Sequence, residues 1–110
     1  MGRYITTTGT AAPVIREISA GYNAQVNDRI LANSALGPFT INLPANASLF
    51  TNDTIQIIDV GKAFATNNVT LGRNGSLIAG LDEDLDLDMN SSITTIMYSG
   101  ATYGWIIIGT

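Results

Sequence analysis

Residues 82–89 read Asp-Glu-Asp-Leu-Asp-Leu-Asp-Met, a strict two-residue alternation of acidic and apolar side chains. Successive side chains of an extended chain point to opposite faces. The spacing therefore predicts a strand over residues 84–89, with Leu85, Leu87 and Met89 toward a core and Asp84, Asp86 and Asp88 toward solvent. Five of the nine acidic residues (Asp82, Glu83, Asp84, Asp86, Asp88) fall in this stretch, leaving five basic and four acidic groups elsewhere. The acidity is a local patch on a nearly neutral chain.

Working upstream, residues 67–73 and 76–81 flank Asn74-Gly75, the pair best able to supply two positive φ angles, and are expected to form a hairpin with a type I′ turn. Residues 54–60 place Ile55 and Ile57 on one face and Ile58 and Val60 on the other, the pattern of a central strand. Phe39-Thr40-Ile41-Asn42-Leu43 alternates and is closed by Pro44, which cannot donate to a ladder. Residues 29–32 are a further strand. Downstream, strands are expected over residues 93–98 and 104–108, separated by a turn around residues 100–102.

Eight or so short strands with no helical-period segment predict an all-β, antiparallel β-sandwich or barrel-like (jelly-roll-like) single domain. No internal repeat is visible. The first residues differ in composition, with Thr6, Thr7, Thr8, Gly9, Thr10 and Pro13, so residues 1–22 are expected to be an extended N-terminal arm and residues 23–110 the sandwich. Over residues 14–20 the β-branched Val14, Ile15 and Ile18 favour extension over a short helix.

Composition narrows the function. The charged fraction is 13% against 45% hydrophobic residues, which leaves the polar surface to Thr, Asn, Ser and Gly. Such a surface is weakly protected against association, and buried partner surfaces are depleted of charge, so a homo-oligomer or larger assembly is expected, the alternative being a Thr- and Asn-rich monomer of ordinary solubility. The final run Trp105-Ile106-Ile107-Ile108 is apolar on both faces. As an exposed edge it would invite aggregation, so it is expected to lie inside the domain or to be sealed by another subunit.

The chain holds no cysteine and no histidine. This removes disulfides, thiolate metal sites and the commonest base and pH switch. Five scattered basic residues give no footprint for nucleic acid. The N-terminal residues lack a signal-peptide core, and no apolar run has membrane-span length, so synthesis in a cytoplasm is expected, with no membrane partner.

Three chemical readings of the acidic row and its neighbours fail on residue type. Asp84, Asp86 and Asp88 resemble the start of an EF-hand loop, but Met89 stands where glycine is required and Thr95 where glutamate is. Carboxylates two apart on a strand lie about 6.6 Å from each other, near the inverting-glycosidase range, yet these are chemically alike on one strand. At about 7 Å each pair repels by roughly 2.4 kcal/mol at an effective dielectric of 20, so the row should be wet, cation-bound or matched to a basic partner. Gly72-Arg73-Asn74-Gly75 is followed by no helix and is no phosphate loop. No enzyme activity and no cofactor are expected. Tyr98, Tyr103 and Trp105 could instead offer aromatic platforms to a glycan, although such residues more often close the end of a sandwich core or fill a subunit contact.

A string of short segments carries a resemblance: Asp28-Arg29-Ile30, Gly37-Pro38-Phe39-Thr40-Ile41-Asn42-Leu43-Pro44-Ala45, Asn52-Asp53-Thr54-Ile55, Asp59, Thr66-Asn67-Asn68-Val69-Thr70, Arg73-Asn74-Gly75, Gly80, Glu83-Asp84-Leu85, Tyr98-Ser99-Gly100 and Gly104-Trp105. Over residues 27–108 the chain resembles the β-rich modules of tailed-bacteriophage head-decoration (cement) and tail-fibre proteins. The resemblance implies a non-enzymatic virion protein, commonly a trimer, whose N-terminal segment docks on a neighbour. The chain is barely longer than the module, which favours a head-decoration subunit on the major capsid protein or another virion protein. The alternative is a tail or fibre-associated host-attachment module binding cell-surface glycans. Candidate subunit or capsid contacts are Arg3, Tyr4, Ile5, Val14, Ile15, Tyr103, Trp105 and Ile107.

Overall fold

A computed structural model describes residues 12–109. Nine strands are present among them: β1 (Val14–Ile18), β2 (Tyr22–Asn23), β3 (Asp28–Ala32), β4 (Phe39–Asn42), β5 (Thr54–Asp59), β6 (Val69–Gly72), β7 (Leu85–Leu87), β8 (Ile93–Tyr98) and β9 (Trp105–Gly109). The only helix among the described residues is a 3₁₀ turn at Asn46–Ser48. The molecule is all-β, as the alternating segments predict.

The strands form a five-stranded sheet ordered β1-β3-β5-β8-β9 and a four-stranded sheet ordered β2-β4-β6-β7. From β1 to β6 the chain alternates between the two sheets at every strand. Each return brings it back in the same direction, so β1-β3, β3-β5, β2-β4 and β4-β6 are all parallel. Parallel neighbours need a crossover, and here the crossover is a strand of the opposite sheet instead of a helix. Only then does the chain reverse: β7 runs antiparallel to β6, β8 to β5 and β9 to β8. The expectation of antiparallel pairing throughout is thus corrected to two mixed sheets. The alternation that predicts a strand is the same in either pairing, so it could not decide direction.

Buried side chains from both sheets make one cluster. Ile30, Ala32, Ile55, Ile57, Ile96, Tyr98 and Trp105 come from the five-stranded sheet, and Ile41, Val69, Leu71 and Leu87 from the other. Phe64, from the β5–β6 connection, is fully buried among them. It is held there by Asp59, whose buried carboxylate accepts the N–H groups of Ala63 (3.3 Å), Phe64 (3.2 Å) and Ser91 (2.9 Å). The central position expected for residues 54–60 is realised by β5.

The hairpin expected over residues 67–81 forms only as far as its turn. Asn74 and Gly75 take positive φ (48° and 92°), and the Ser76 N–H donates to the Arg73 carbonyl at 3.2 Å. Residues 76–81 are not a strand beside β6, because Ala79 (φ 52°) and Gly80 (φ 76°) turn the chain away and Ile78 is buried in the core. β6 pairs with β7 instead. In β7, Leu85 and Leu87 face inward as expected, but Met89 lies beyond the strand and is 69% exposed. Val14–Ile18 is extended, as its β-branching suggests, and is a margin of the five-stranded sheet. Of the expected arm, residues 1–11 lie outside the described residues.

Candidate functional site

Two regions combine exposure with chemistry: the margins of the five-stranded sheet, and a groove on the outer face of the four-stranded one.

At the β1 margin, the Val14 N–H donates to the Asn27 carbonyl (3.0 Å), and the Ile18 carbonyl accepts from the Asn33 N–H (2.9 Å). A parallel strand directs alternate residues toward its partner, so Val14, Arg16 and Ile18 face β3. The backbone groups of Ile15 and Glu17 consequently point to the open side. Ile15 is 59% exposed, and Val14 is exposed as well.

At the opposite margin, β9 is closed over half its length. The Trp105 N–H donates to the Leu77 carbonyl (2.8 Å), and the Trp105 carbonyl accepts from Ala79 (2.6 Å). Residues 77–79 thereby clip the outer edge of Trp105. Gly104 permits this approach: its φ is +69°, and a Cβ there would lie 1.9 Å from the Leu77 carbonyl oxygen. Two residues on, the backbone of Ile107 faces the same side, beyond the clip, and its side chain is 42% exposed. Among the described residues β9 is sheltered at Trp105 and open at Ile107.

Between these margins, register places Leu31, Ile58 and Ile93 in one row on the outer face, with Met97 beside Ile106 in another. Glu17 and Arg29 are the only charged residues that the strands present on this face.

The candidate contacts separate accordingly. Val14, Ile15 and Ile107 lie at open margins, and Tyr103 is exposed in the β8–β9 turn. Trp105 is fully buried, its ring edge-to-face with Tyr98 at 5.6 Å between centroids and 66° between planes. It is a core residue, and so is Tyr98. A glycan platform built on Tyr98, Tyr103 and Trp105 together is therefore not formed. Arg3, Tyr4 and Ile5 lie outside the described residues.

The outer face of the four-stranded sheet is polar. Register aligns Asn23, Asn42 and Gly72 in one row and Thr40, Thr70 and Asp86 in another. The acidic row is exposed, and two of its three members, Asp84 and Asp86, have different partners. Asp86 accepts from the Thr70 hydroxyl at 2.8 Å, Asp84 accepts from the Arg73 N–H at 3.0 Å, and Arg73 also pairs with Asp82. Beside this row is a groove of about 630 Å³ between Asn23, Asn42, Arg73, Asn74 and Asp84 on the polar side and Leu43, Pro44 and Ala45 on the other. Sequence reading missed it, because β2 is two residues long and carries no alternation to detect.

One buried charge network ties the start of the fold together. Asp28, 3% exposed, accepts from the Tyr22 hydroxyl (2.7 Å) and the Gln25 N–H (2.8 Å), and its other oxygen faces Arg16 Nε at 3.4 Å. Burial pushes the Tyr22 phenol up from 10.0 to about 12, reinforced by the hydrogen bond to Asp28 and by its charge. No protein-family model matches the chain, and no curated protein matches it.

Proposed function

We propose that this chain is a non-enzymatic structural subunit that works by assembling with copies of itself, as a head-decoration (cement) subunit of a phage virion. The observation that carries this reading is the five-stranded sheet: among the described residues it has two unpaired apolar edges, at Ile15 and at Ile107, on either side of a face with little charge. We read the two sheets as the layers of a β-sandwich whose margins are finished by neighbours, β1 of one copy against β9 of the next. A head-to-tail contact of this kind closes into a ring, here of three copies, or runs on as a filament. Open edges left bare are templates for uncontrolled association, so an ordered use of both is the economical outcome. Burying about 1,000 Å² of apolar surface would contribute on the order of 25 kcal/mol, well above an association cost of roughly 4–15 kcal/mol.

The virion placement rests on the resemblance over residues 27–108, with Arg3, Tyr4 and Ile5 as further candidate contacts to the capsid. Light scattering coupled to size exclusion tests the assembly, with a trimer expected and a strict monomer at micromolar concentration counting against it. Co-sedimentation with undecorated phage capsids tests the placement, with saturable binding expected.

A further inference from the structure

The groove on the four-stranded sheet has no part in edge assembly, and its chemistry points elsewhere. Its floor is the row Asn23, Asn42 and Gly72. The ladder beneath continues through Ala24 N–H to the Asn42 carbonyl and Leu43 N–H to the Gly72 carbonyl, both 2.8 Å, so the floor is backbone held from both sides. Asn42 Nδ2 donates to Asn23 Oδ1 at 3.0 Å, which orients both amides. A Cβ on Gly72 would come within 2.7 Å of Asn42 Oδ1, so the Asn42 amide lies across a space that only glycine leaves open.

At one end the Asp84 carboxylate is positioned by the Arg73 N–H through Oδ1, leaving Oδ2 without a hydrogen bond among the described residues. Arg73 is committed: Nη1 donates to the Ser76 carbonyl at 3.0 Å, and Nη2 pairs with Asp82. Asn74 Nδ2 is likewise fixed on the Leu43 carbonyl at 2.9 Å. The groups left to a ligand include an acceptor at Asp84 Oδ2, an acceptor at Asn42 Oδ1, a donor at Asn23 Nδ2 and the apolar flank of Pro44 and Ala45.

Each ligand class meets these groups differently. An anion would face Asp84, with the neighbouring guanidinium already neutralised. A metal cation would find a single carboxylate, since among the described residues no cluster of three or more acidic side chains could hold one. An apolar ligand would strand two amides and a carboxylate, at a cost of about 1–3 kcal/mol for each unpaired group. A neutral polyhydroxylated ligand fits, because adjacent hydroxyls donate to carboxylate and amide oxygens, accept from an amide N–H, and leave a C–H edge for the apolar flank. The volume is within the range of about 300–1,000 Å³ usual for small-molecule sites. We propose that this groove is a binding site for a neutral saccharide. The inference does not rest on the assembly reading, since every group belongs to one chain and to the sheet remote from β1 and β9.

The test is a titration of the isotope-labelled full chain followed by amide chemical shifts. One arm uses neutral sugars (glucose, galactose, mannose, N-acetylglucosamine and their disaccharides); the other uses dextran, a neutral polysaccharide. We expect saturable shifts at Ala24, Gly72, Arg73 and the Asn42 side chain. A response in the first arm alone identifies a free sugar as the ligand, and a much stronger response in the second identifies an extended chain. Asn42→Ala should weaken binding about tenfold. Gly72→Ala, which displaces the Asn42 amide, should do the same. Thr70→Val, on the same face but outside the groove, should leave binding unchanged. Asn42 is exposed, so its alanine variant retains the fold and decides the matter if Gly72→Ala does not fold. Absence of saturable shifts with every probe, or an affinity that Asn42→Ala leaves unchanged, overturns the proposal.

Discussion

Asp28 shows how a single residue joins regions of chain that alternation treats separately. Its buried carboxylate gathers the Tyr22 hydroxyl, the Gln25 N–H and the Arg16 guanidinium, and so fixes β1 and β2 to the start of β3. The Tyr22 phenol, pushed up to about 12, binds its proton more tightly in the folded state than in the unfolded chain. Its contribution to stability is therefore complete below about pH 10, the unfolded value, and is lost as pH rises through about 12. Denaturant midpoints measured across that window should fall more steeply for the natural chain than for Tyr22→Phe. Equal slopes would remove the phenol from the network. None of this was legible in the sequence, where Tyr22 and Asp28 are merely a tyrosine and an aspartate on either side of a turn. Trp105 shows the converse: its type leaves a glycan platform, a subunit contact and the end of a core all open, and the fold decides by wrapping residues 77–79 around its edge and burying it.

At the scale of elements, period-two alternation located strands well and partners poorly. Residues 39–43, 54–60, 93–98 and 104–108 correspond to β4, β5, β8 and β9 within a residue or two at each end, and the acidic alternation to a shorter β7. The Asn74-Gly75 turn forms with both positive φ angles, because that preference is local. Beyond the turn, burial decides the path of the chain. Ile78 enters the core beside Trp105, Ala79 and Gly80 reverse the chain, and the place beside β6 is left for Leu85–Leu87. The clip on β9 yields a direct prediction. Gly104→Ala places a methyl against the Leu77 carbonyl at a positive φ and should cost at least about 2 kcal/mol in a denaturant melt. Gly80→Ala also sits at positive φ, but its nearest contact is Tyr103 at 3.8 Å, so only the backbone strain of about 1 kcal/mol is expected. Similar losses in the two variants would mean that the clip does not depend on the absence of a side chain at Gly104.

At the scale of the whole molecule the decisive property is a five-stranded sheet that, among the described residues, is open at both margins with an apolar side chain at each. Proline offers a clean probe, since the N–H groups of Ile15 and Ile107 both point away from their inner partners and can be removed without breaking the ladder. On the proposed head-to-tail assembly, Ile15→Pro and Ile107→Pro should each reduce the assembled species to smaller ones at unchanged fold. Mixed together, they should form a one-to-one dimer, because each retains the edge that the other has lost. Homodimers of either variant would show instead that like edges pair and would sink the head-to-tail arrangement. By itself the sequence determined the all-β class, the positions of most strands, the Asn74-Gly75 turn and the thin cover of charge, because these follow from side-chain period, local φ preference and composition. Only the tertiary structure decided that the strands alternate between two sheets with parallel neighbours. Pairing offsets are irregular, Val14 with Asp28 but Arg29 with Gln56, and Tyr22 with Ile41 but Phe39 with Val69, so no repeat marks them along the chain. Strand direction, the sealing of half an edge and the groove over Gly72 all depend on which distant segments share a core, and an alternation of side chains carries no record of that.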